Sequence, residues 1–583
     1  MSPLASLVRA YDRMAARSGE VPAFGFSQEK IGFLIPLNPD GTVAHIPIDL
    51  RQGEGKKKTA RLMTVPASFK RPGVTPKSFF LWDNTAYVLG VTATEGKDGA
   101  TRLKAFKDRH FRDLADTDDE GLRAIFEFVK RWVPEHFAEF GWPEEMRDQN
   151  VVFSLESERL DRRMIHDRPA ARELWAQLSA AGEKNEAICL ITGERSAIAR
   201  IHPAIKGIRP AGGNKDADSI VSFNKASFES YGQIQGNNSP VGEYAAFRYV
   251  AALNHFLERG SGHRIQVGDV STIFWADASD ALAAAEAESF FRVVIDEKQA
   301  DAVEEKKVYD MLAKLRAGRP IADIKPDLTS GVRFFVLGLA PNAARLSVRF
   351  YIEEDFGVIA ERYLRHLERM CIDPPPKEDA PSMWRMLIET AVLRKSDNIQ
   401  PNLADQWMRA ILTDTPYPLT LLSTLIIRLR ADQNVNALRV AMLKSILIKN
   451  FKAEVPVSLD RANKNSAYLL GRLFATLEQI QDVALGNVKA GVRERFYAAA
   501  SANPRNIFPM LLRMNVHHLS KAEKGEKRRL AGFLANEMSE IISGLPCEFP
   551  ATLALSEQGK FALGYFHQNH RPKEKDVNPE TSK

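Results

Sequence analysis

The chain of 583 residues is 44% hydrophobic and 26% charged, with 35 glycines and 31 prolines. This make-up excludes a disordered or collagen-like protein and predicts roughly two to four folded domains. The net charge of +6 is concentrated. Between Arg51 and Lys77, eight cations (Arg51, Lys56, Lys57, Lys58, Arg61, Lys70, Arg71 and Lys77) face Glu54 alone, so this segment carries +7 and the rest of the chain −1. A block of that density is a solvated loop at least and a polyanion-facing surface at most.

Three cysteines, Cys189, Cys371 and Cys547, lie far apart without a Cys-x-x-Cys pair. That argues against a disulfide framework or a cysteine-built zinc site, and for a reducing cytoplasm. The longest apolar run, Leu419–Ile427, carries Thr420, Ser423 and Thr424 and stops at Arg428. It is too short to span a bilayer, so no membrane association is expected.

In chain order, Leu4, Leu7, Val8, Tyr11 and Met14 form the stripe of a docked amphipathic helix, although Arg9, Arg13 and Arg17 also fit a transit peptide. Ile31–Leu37 and Val43–Leu50 flank Asn38-Pro39-Asp40-Gly41 and predict a hairpin, followed by a strand at Arg61–Val65. Ser78–Trp82 and Tyr87–Val91 around Asp83-Asn84 predict a second hairpin. Helices are expected at Leu103–Leu114 and Asp119–Phe140. Short strands are expected at 187–191, 197–201 and 220–223. A helix should start near Ser239-Pro240, because Ser caps and Pro suits the first helical position. Strands resume at 265–267 and 271–275, and Val332–Leu339 with Arg345–Ile352 reads as a hairpin.

The proline-rich stretch 373–381 reads as a linker, and nearly everything after it as helix. Leu469, Leu470, Leu473, Phe474, Leu477 and Ile480 share one face of a helix over about 466–483. Further helices fit 492–502, 507–519 and 528–542. The expected class is therefore α+β, with largely antiparallel sheets, followed by an all-α C-terminal bundle. The expected regions are 1–160, a basic α+β region; 161–372, a second α+β region; the linker 373–381; a helical connector 382–455; and the bundle 456–583.

No catalytic constellation stands out. Gly90 to Asp98 has one residue too many between its glycines for a phosphate loop, and Asp98 where Ser or Thr must bind magnesium. Ser222 and Lys225 match Ser-x-x-Lys without the companion motifs. His166-Asp167 lacks further ligands at helical spacing, and His517-His518 reads as helix surface. The chain reads as a non-enzyme with no metal and no cofactor.

The specialised segment is 189–238. It is rich in Gly, Asn, Gln and Ser and carries Arg195, Arg200, Lys206, Arg209, Lys215 and Lys225. Amides and backbone N–H groups beside cations suit phosphate and base-edge contacts, and Phe223, Phe228 and Tyr231 offer stacking surfaces. The same residues also suit an ordered loop packed on a sheet with its aromatics in the core.

Here the sequence resembles a known family. Cys189-Leu190-Ile191-Thr192-Gly193-Glu194, Ile198-Ala199-Arg200-Ile201-His202-Pro203 and Ile205-Lys206-Gly207 carry the likeness. So do Ile220–Asn224, Phe228–Gly232, Phe274-Trp275-Ala276, Val336–Asn342 and Leu469–Ala475. Over about residues 1–570 the chain resembles the large subunit of the subtype I-C CRISPR surveillance complex, the Csd-type Cas-eight family of Cascade. It departs from the family's N-terminal pattern at Lys77-Ser78, where a Pro-Asn step is expected.

The resemblance implies a subunit that joins crRNA-bearing backbone subunits and reads a protospacer-adjacent motif (PAM) on target double-stranded DNA. It implies help in opening the duplex, stabilising the R-loop and recruiting a helicase–nuclease, while guide pairing reads the sequence. Residues then expected on DNA are Lys56, Lys57, Lys58, Lys70, Arg71, Lys77 and Asn84 beside the motif. Lys206, Asn224, Gln233, Gln235 and Asn237 are expected along the opened strands. Lys521, Lys524, Lys527, Arg528 and Arg529 are expected on the displaced strand. The family also implies a small subunit translated internally from the same gene, with Met442, or Val455 or Val457 if encoded by GTG, as candidate starts. A nucleic-acid-binding scaffold that ignores the motif is the alternative.

Overall fold

The computed structural model describes residues 2–16, 20–53, 58–69, 71, 75–96, 98–180, 185–209, 219–223, 225–267, 270–296, 306–308, 310–312, 314, 331–342, 345–378, 381–400, 402–486 and 490–571. The chain divides into two compact units, Met1–His255 with Ala343–Arg345, and Phe256–Asn342 with Leu346–Lys583. The proline-rich stretch lies within the second unit. Ile372 is buried there, and the Asp373 N–H donates to the Val457 carbonyl at 2.9 Å.

The first unit is built on a four-stranded sheet in the order β3 (Ile48–Asp49), β2 (Phe33–Leu37), β6 (Asn150–Leu155), β5 (Asp83–Asn84). Alternation along its two central strands explains why both faces are covered. Phe33, Ile35, Val151 and Phe153 enter one core with Phe106, Ile125 and Phe128 of the Gly99–Asp113 and Glu120–Arg131 helices. Leu34 and Val152 point the other way, to Ile31, Val65, Trp82 and Met164. β2 and β6 run parallel; the other pairs in this sheet are antiparallel. A separate antiparallel ladder joins β1 (Phe26–Ile31) to β4 (Arg61–Pro66), from Phe26 opposite Pro66 to Ile31 opposite Arg61.

The first expected hairpin is present: β2 pairs with β3 after the turn at Asn38–Gly41, where Gly41 takes φ 82°. The N-terminal stripe forms the Pro3–Ala16 helix with Leu7, Val8, Tyr11 and Met14 buried. The second expected hairpin is overturned. Asp83-Asn84 pairs with β6, and Thr85–Val88 is helical because the Asn84 side chain caps it by accepting the Ala86 N–H at 3.0 Å. The helix expected over 119–140 ends at Arg131. Trp132 is extended, Pro134 two residues on has no N–H to continue the helix ladder, and a short turn of helix resumes at His136–Glu139. Residues 220–223 form no strand, and the helix expected from Ser239-Pro240 begins at Glu243.

The second unit joins a four-stranded sheet, in the order Arg345–Asp355, Arg333–Asn342, Val270–Asp277, Arg264–Val267, to a long series of helices. One continuous core runs from Ile265 on the sheet through Trp407 and Leu443 to Phe566 near the C-terminus. Its axis is the Ser466–Leu485 helix, apolar nearly all round and buried accordingly. The class is as expected: mixed α and β first, then helical. Among the described residues, no helix is long and apolar enough to cross a membrane.

The central helix meets the Leu555–Asn569 helix at backbone distance. A Cβ on Gly471 would fall 2.0 Å from the Phe561 carbonyl oxygen, and one on Gly564 2.1 Å from that of Tyr468. Two glycine-to-alanine changes in helices should therefore act with opposite sign in urea unfolding. Gly471→Ala should cost about 1–3 kcal/mol by overpacking. Gly532→Ala, with no atom within 4 Å of the new Cβ, should gain up to about 1 kcal/mol of helix propensity. Equal effects at both sites would contradict this packing.

Candidate nucleic-acid interface

The basic segment enters from β3 and leaves through β5. Its first described cation, Arg51, lies over the Phe33 ring at 4.8 Å and is paired with Asp49 at 2.8 Å and Glu145 at 2.9 Å. Lys58 shares Asp49 at 2.8 Å, and these two cations hold the Asp49 carboxyl well below the usual carboxylate range. Backbone hydrogen bonds in both directions between Gln52 and Thr59, at 2.8 and 2.9 Å, close the chain on either side of 54–57. Lys56, Lys57 and Lys70 lie outside the described residues.

Arg71 is an internal pin. Its guanidinium lies between the rings of Phe79 at 3.8 Å and Tyr87 at 4.0 Å, and Nη2 donates to Asp83 Oδ2 at 2.5 Å. Asp83 is completely buried, and burial pushes its carboxyl up against the opposing pull of Arg71 and of the Phe79 and Asn84 N–H groups. Asn84 is equally committed: its Nδ2 donates to the Asp148 carbonyl at 2.6 Å while Oδ1 caps the helix. Lys77 is exposed and makes no hydrogen bond or ion pair with a described residue. Arg61 at the start of β4 is in the same position. Sequence reading counted its charge but did not single it out.

The Gly/Asn/Gln-rich segment lies in the same unit. Lys206 Nζ reaches Glu29 Oε1 at 2.7 Å and the Gln28 carbonyl at 3.0 Å, both on β1. The same Glu29 oxygen accepts from Ser27 at 3.0 Å and from Ser68 at 2.6 Å. One carboxylate thus joins the segment around Lys206 to the strap that follows β4. Sequence reading missed Glu29, an acid inside a basic surface with no local signature. Gln235 accepts from Arg200 Nε, and Asn237 accepts from Asn185 Nδ2 at 3.1 Å. Gln233 is exposed, with its side-chain amide unengaged by described residues. Phe228 is half-buried, and Asn224 lies outside the described residues.

In the second unit, Lys521, Lys524, Lys527, Arg528 and Arg529 are all exposed where the Pro504–Glu523 helix turns into the Arg528–Ser543 helix. None pairs with a described residue. Arg528 and Arg529 occupy a first helical turn, where the macrodipole already adds positive potential.

The other motifs have structural roles. Asp98 caps the Gly99–Asp113 helix by accepting the Thr101 N–H at 3.0 Å. His166 is a core histidine with Nε2 3.1 Å from the Thr64 carbonyl, and burial pulls its pKa down. His517 is exposed on a helix. Among the described residues no group of three or more His, Cys, Asp or Glu is placed to hold a metal ion.

This is a two-unit protein, α+β and then helical, with unpaired surface cations in both units. Over residues 7–572 it matches the family model of CRISPR-associated protein (Cas_Csd1), and it belongs to that family. It is accordingly a CRISPR-associated Cascade subunit, of the large-subunit kind found in type I-C complexes. No curated protein matches the chain.

The geometry separates structural cations from available ones. Arg71→Ala should destabilise the first unit by about 3–5 kcal/mol, because it strands a buried carboxylate. Lys77→Ala should stay within about 0.5 kcal/mol of wild type. Chemical denaturation read beside duplex affinity distinguishes the two. An Arg71→Ala protein of unchanged stability would contradict the pin.

Proposed function

We propose that the protein acts in the cytoplasm as the large subunit of the type I-C surveillance complex. It joins the crRNA-bearing backbone subunits and reads the protospacer-adjacent motif on target duplex DNA through its first unit. It then assists duplex opening, stabilises the R-loop and helps recruit the helicase–nuclease. It does so by binding and not by catalysis. The observation that carries this reading is the basic segment of a Cascade subunit, with Arg61 and Lys77 exposed and Lys206 tied to the same ladder through Glu29. Arg61 and Lys77, with Lys56, Lys57 and Lys70, supply phosphate contacts that position the protein, Lys58 being held by Asp49, and base edges supply the specificity. The three cysteines, Cys189 buried and Cys371 and Cys547 exposed, are all free, in keeping with a reducing compartment.

A second reading is favoured by one observation: Arg71, Asn84, Lys206, Gln235 and Asn237 are engaged with the protein itself. A scaffold that grips DNA without reading the motif would look the same. Affinity of the assembled complex for duplexes with intact and scrambled motifs separates the two. Equal affinities establish the scaffold.

The cluster at 521–529 is proposed to hold the displaced strand. Replacing Lys521, Lys524, Lys527, Arg528 and Arg529 with alanine should lower the log–log salt slope of target binding by about 0.7 for each single-strand phosphate that the variant no longer neutralises. An unchanged slope with unchanged affinity removes these residues from the interface.

An internally started small subunit is also proposed. Met442 is buried in the middle of the Ala437–Phe451 helix, so a start there would split a helix. Val455 and Val457 lie in the stretch before the Asn465 cap of the central helix, so a start there would keep the five helices from Ser466 to Asn569 intact while removing Leu443 and Leu447 from the core they share.

A further inference from the structure

A braced turn in the first unit carries the most exposed aromatic ring among the described residues, Tyr231, at 101% relative exposure. Ser230 and Gln233 face each other across the turn, and the Gln233 N–H donates to the Ser230 carbonyl at 2.9 Å. Between them Tyr231 and Gly232 take φ of 52° and 70°. Two successive left-handed residues make a turn whose first position favours Asn, Asp or Gly, and a tyrosine there gives up stability.

The turn is held from below. Asn238 Oδ1 accepts the Ser230 N–H at 3.0 Å, and its Nδ2 donates to the Gln233 and Gln235 carbonyls, each at 3.0 Å. Gly236 sits so close to Ala199 that a Cβ would fall 2.2 Å from the Ala199 carbonyl oxygen. The ring therefore stands on a rigid stalk, and its small neighbours Ser230 and Gly232 leave both faces open.

We infer that Tyr231 is a stacking platform for an unpaired base of single-stranded DNA. The inference rests on the reading that the first unit contacts opened target DNA, and it names the residue and the ligand chemistry. Strain at an exposed position that contributes no packing points to function, and a flat, open ring matches the face of a base. Charge favours nucleic acid over a protein socket. Across the described residues of 185–242, five cations (Arg195, Arg200, Lys206, Arg209 and Lys225) stand against three acids (Glu186, Glu194 and Glu229), a net +2, with Arg195 paired to Glu186 and Lys206 to Glu29. The unengaged amide of Gln233, two residues from the ring, offers donors and an acceptor to a base edge.

The test uses the full chain and a single-stranded oligonucleotide carrying 5-iododeoxyuridine, which cross-links to a stacked aromatic ring on irradiation. The cross-linked peptide should contain Tyr231. Tyr231→Ala should weaken binding about 5- to 140-fold, the equivalent of one stacked base, while Tyr231→Phe retains affinity. Tyr231→Asn, which suits the left-handed position, should lose affinity as alanine does while melting no lower than wild type. If Tyr231→Ala binds single strands as wild type does, the stacking role is overturned and the wider DNA-contact reading stands. If wild type binds no single strand, both fall. If Tyr231→Ala instead sheds a protein subunit from the assembled complex at unchanged DNA affinity, the ring fills a protein socket and the inference is wrong.

Discussion

The Glu29 carboxylate is the constraint on which the candidate interface depends. A single oxygen takes Ser27 from its own strand, Ser68 from the strap and Lys206 from the Gly/Asn/Gln-rich side. The carboxylate is largely shielded, and hydrogen bonds to a charged acceptor are worth about 1.5–3 kcal/mol each when shielded. Lys206 is more exposed, so its share is smaller. The serine hydroxyls therefore hold the strap, and the lysine sets the register of the second segment against it. Two stretches separated by more than a hundred residues become one surface through this acid.

That surface is less positive than its sequence. Asp49 answers both Arg51 and Lys58, Glu145 answers Arg51 again, and Asp83 answers Arg71. Arg61 and Lys77 remain for an external anion among the described residues of the segment. The segment's charge thus does two kinds of work. Part of it fixes the chain between β3 and β5, and part of it faces outward. A motif-reading protein needs both, because a base contact discriminates only when the backbone that carries it does not move.

The elements were legible where one periodicity dominated. The stripe from Leu469 to Ile480 and the apolar run within Ile31–Leu37 both marked their elements locally. Asp83-Asn84 was misread because Asp-Asn is at once a turn signal and a helix cap, and only the pairing with β6 decides between them. Pro134 ended a helix whose apolar stripe continued past it. The site was harder. Counting charge found the basic segment, but the acids that neutralise it, Asp49, Asp83 and Glu145, lie outside its bounds, and Glu145 lies far along the chain. Glu29 carried no signal at all. Tyr231 was visible as an aromatic, while its left-handed turn was not, since Ser-Tyr-Gly-Gln lacks the Asn or Asp that marks such turns.

The central claim is that one face of the first unit, assembled around Glu29, meets target DNA. A cryo-EM map of the assembled complex on a target with its adjacent motif tests it most directly. The account predicts duplex density against the surface around Glu29 and Arg61, continuing as separated strands toward residues 225–238. A map in which another protein subunit covers that face, with the duplex held elsewhere, would contradict it.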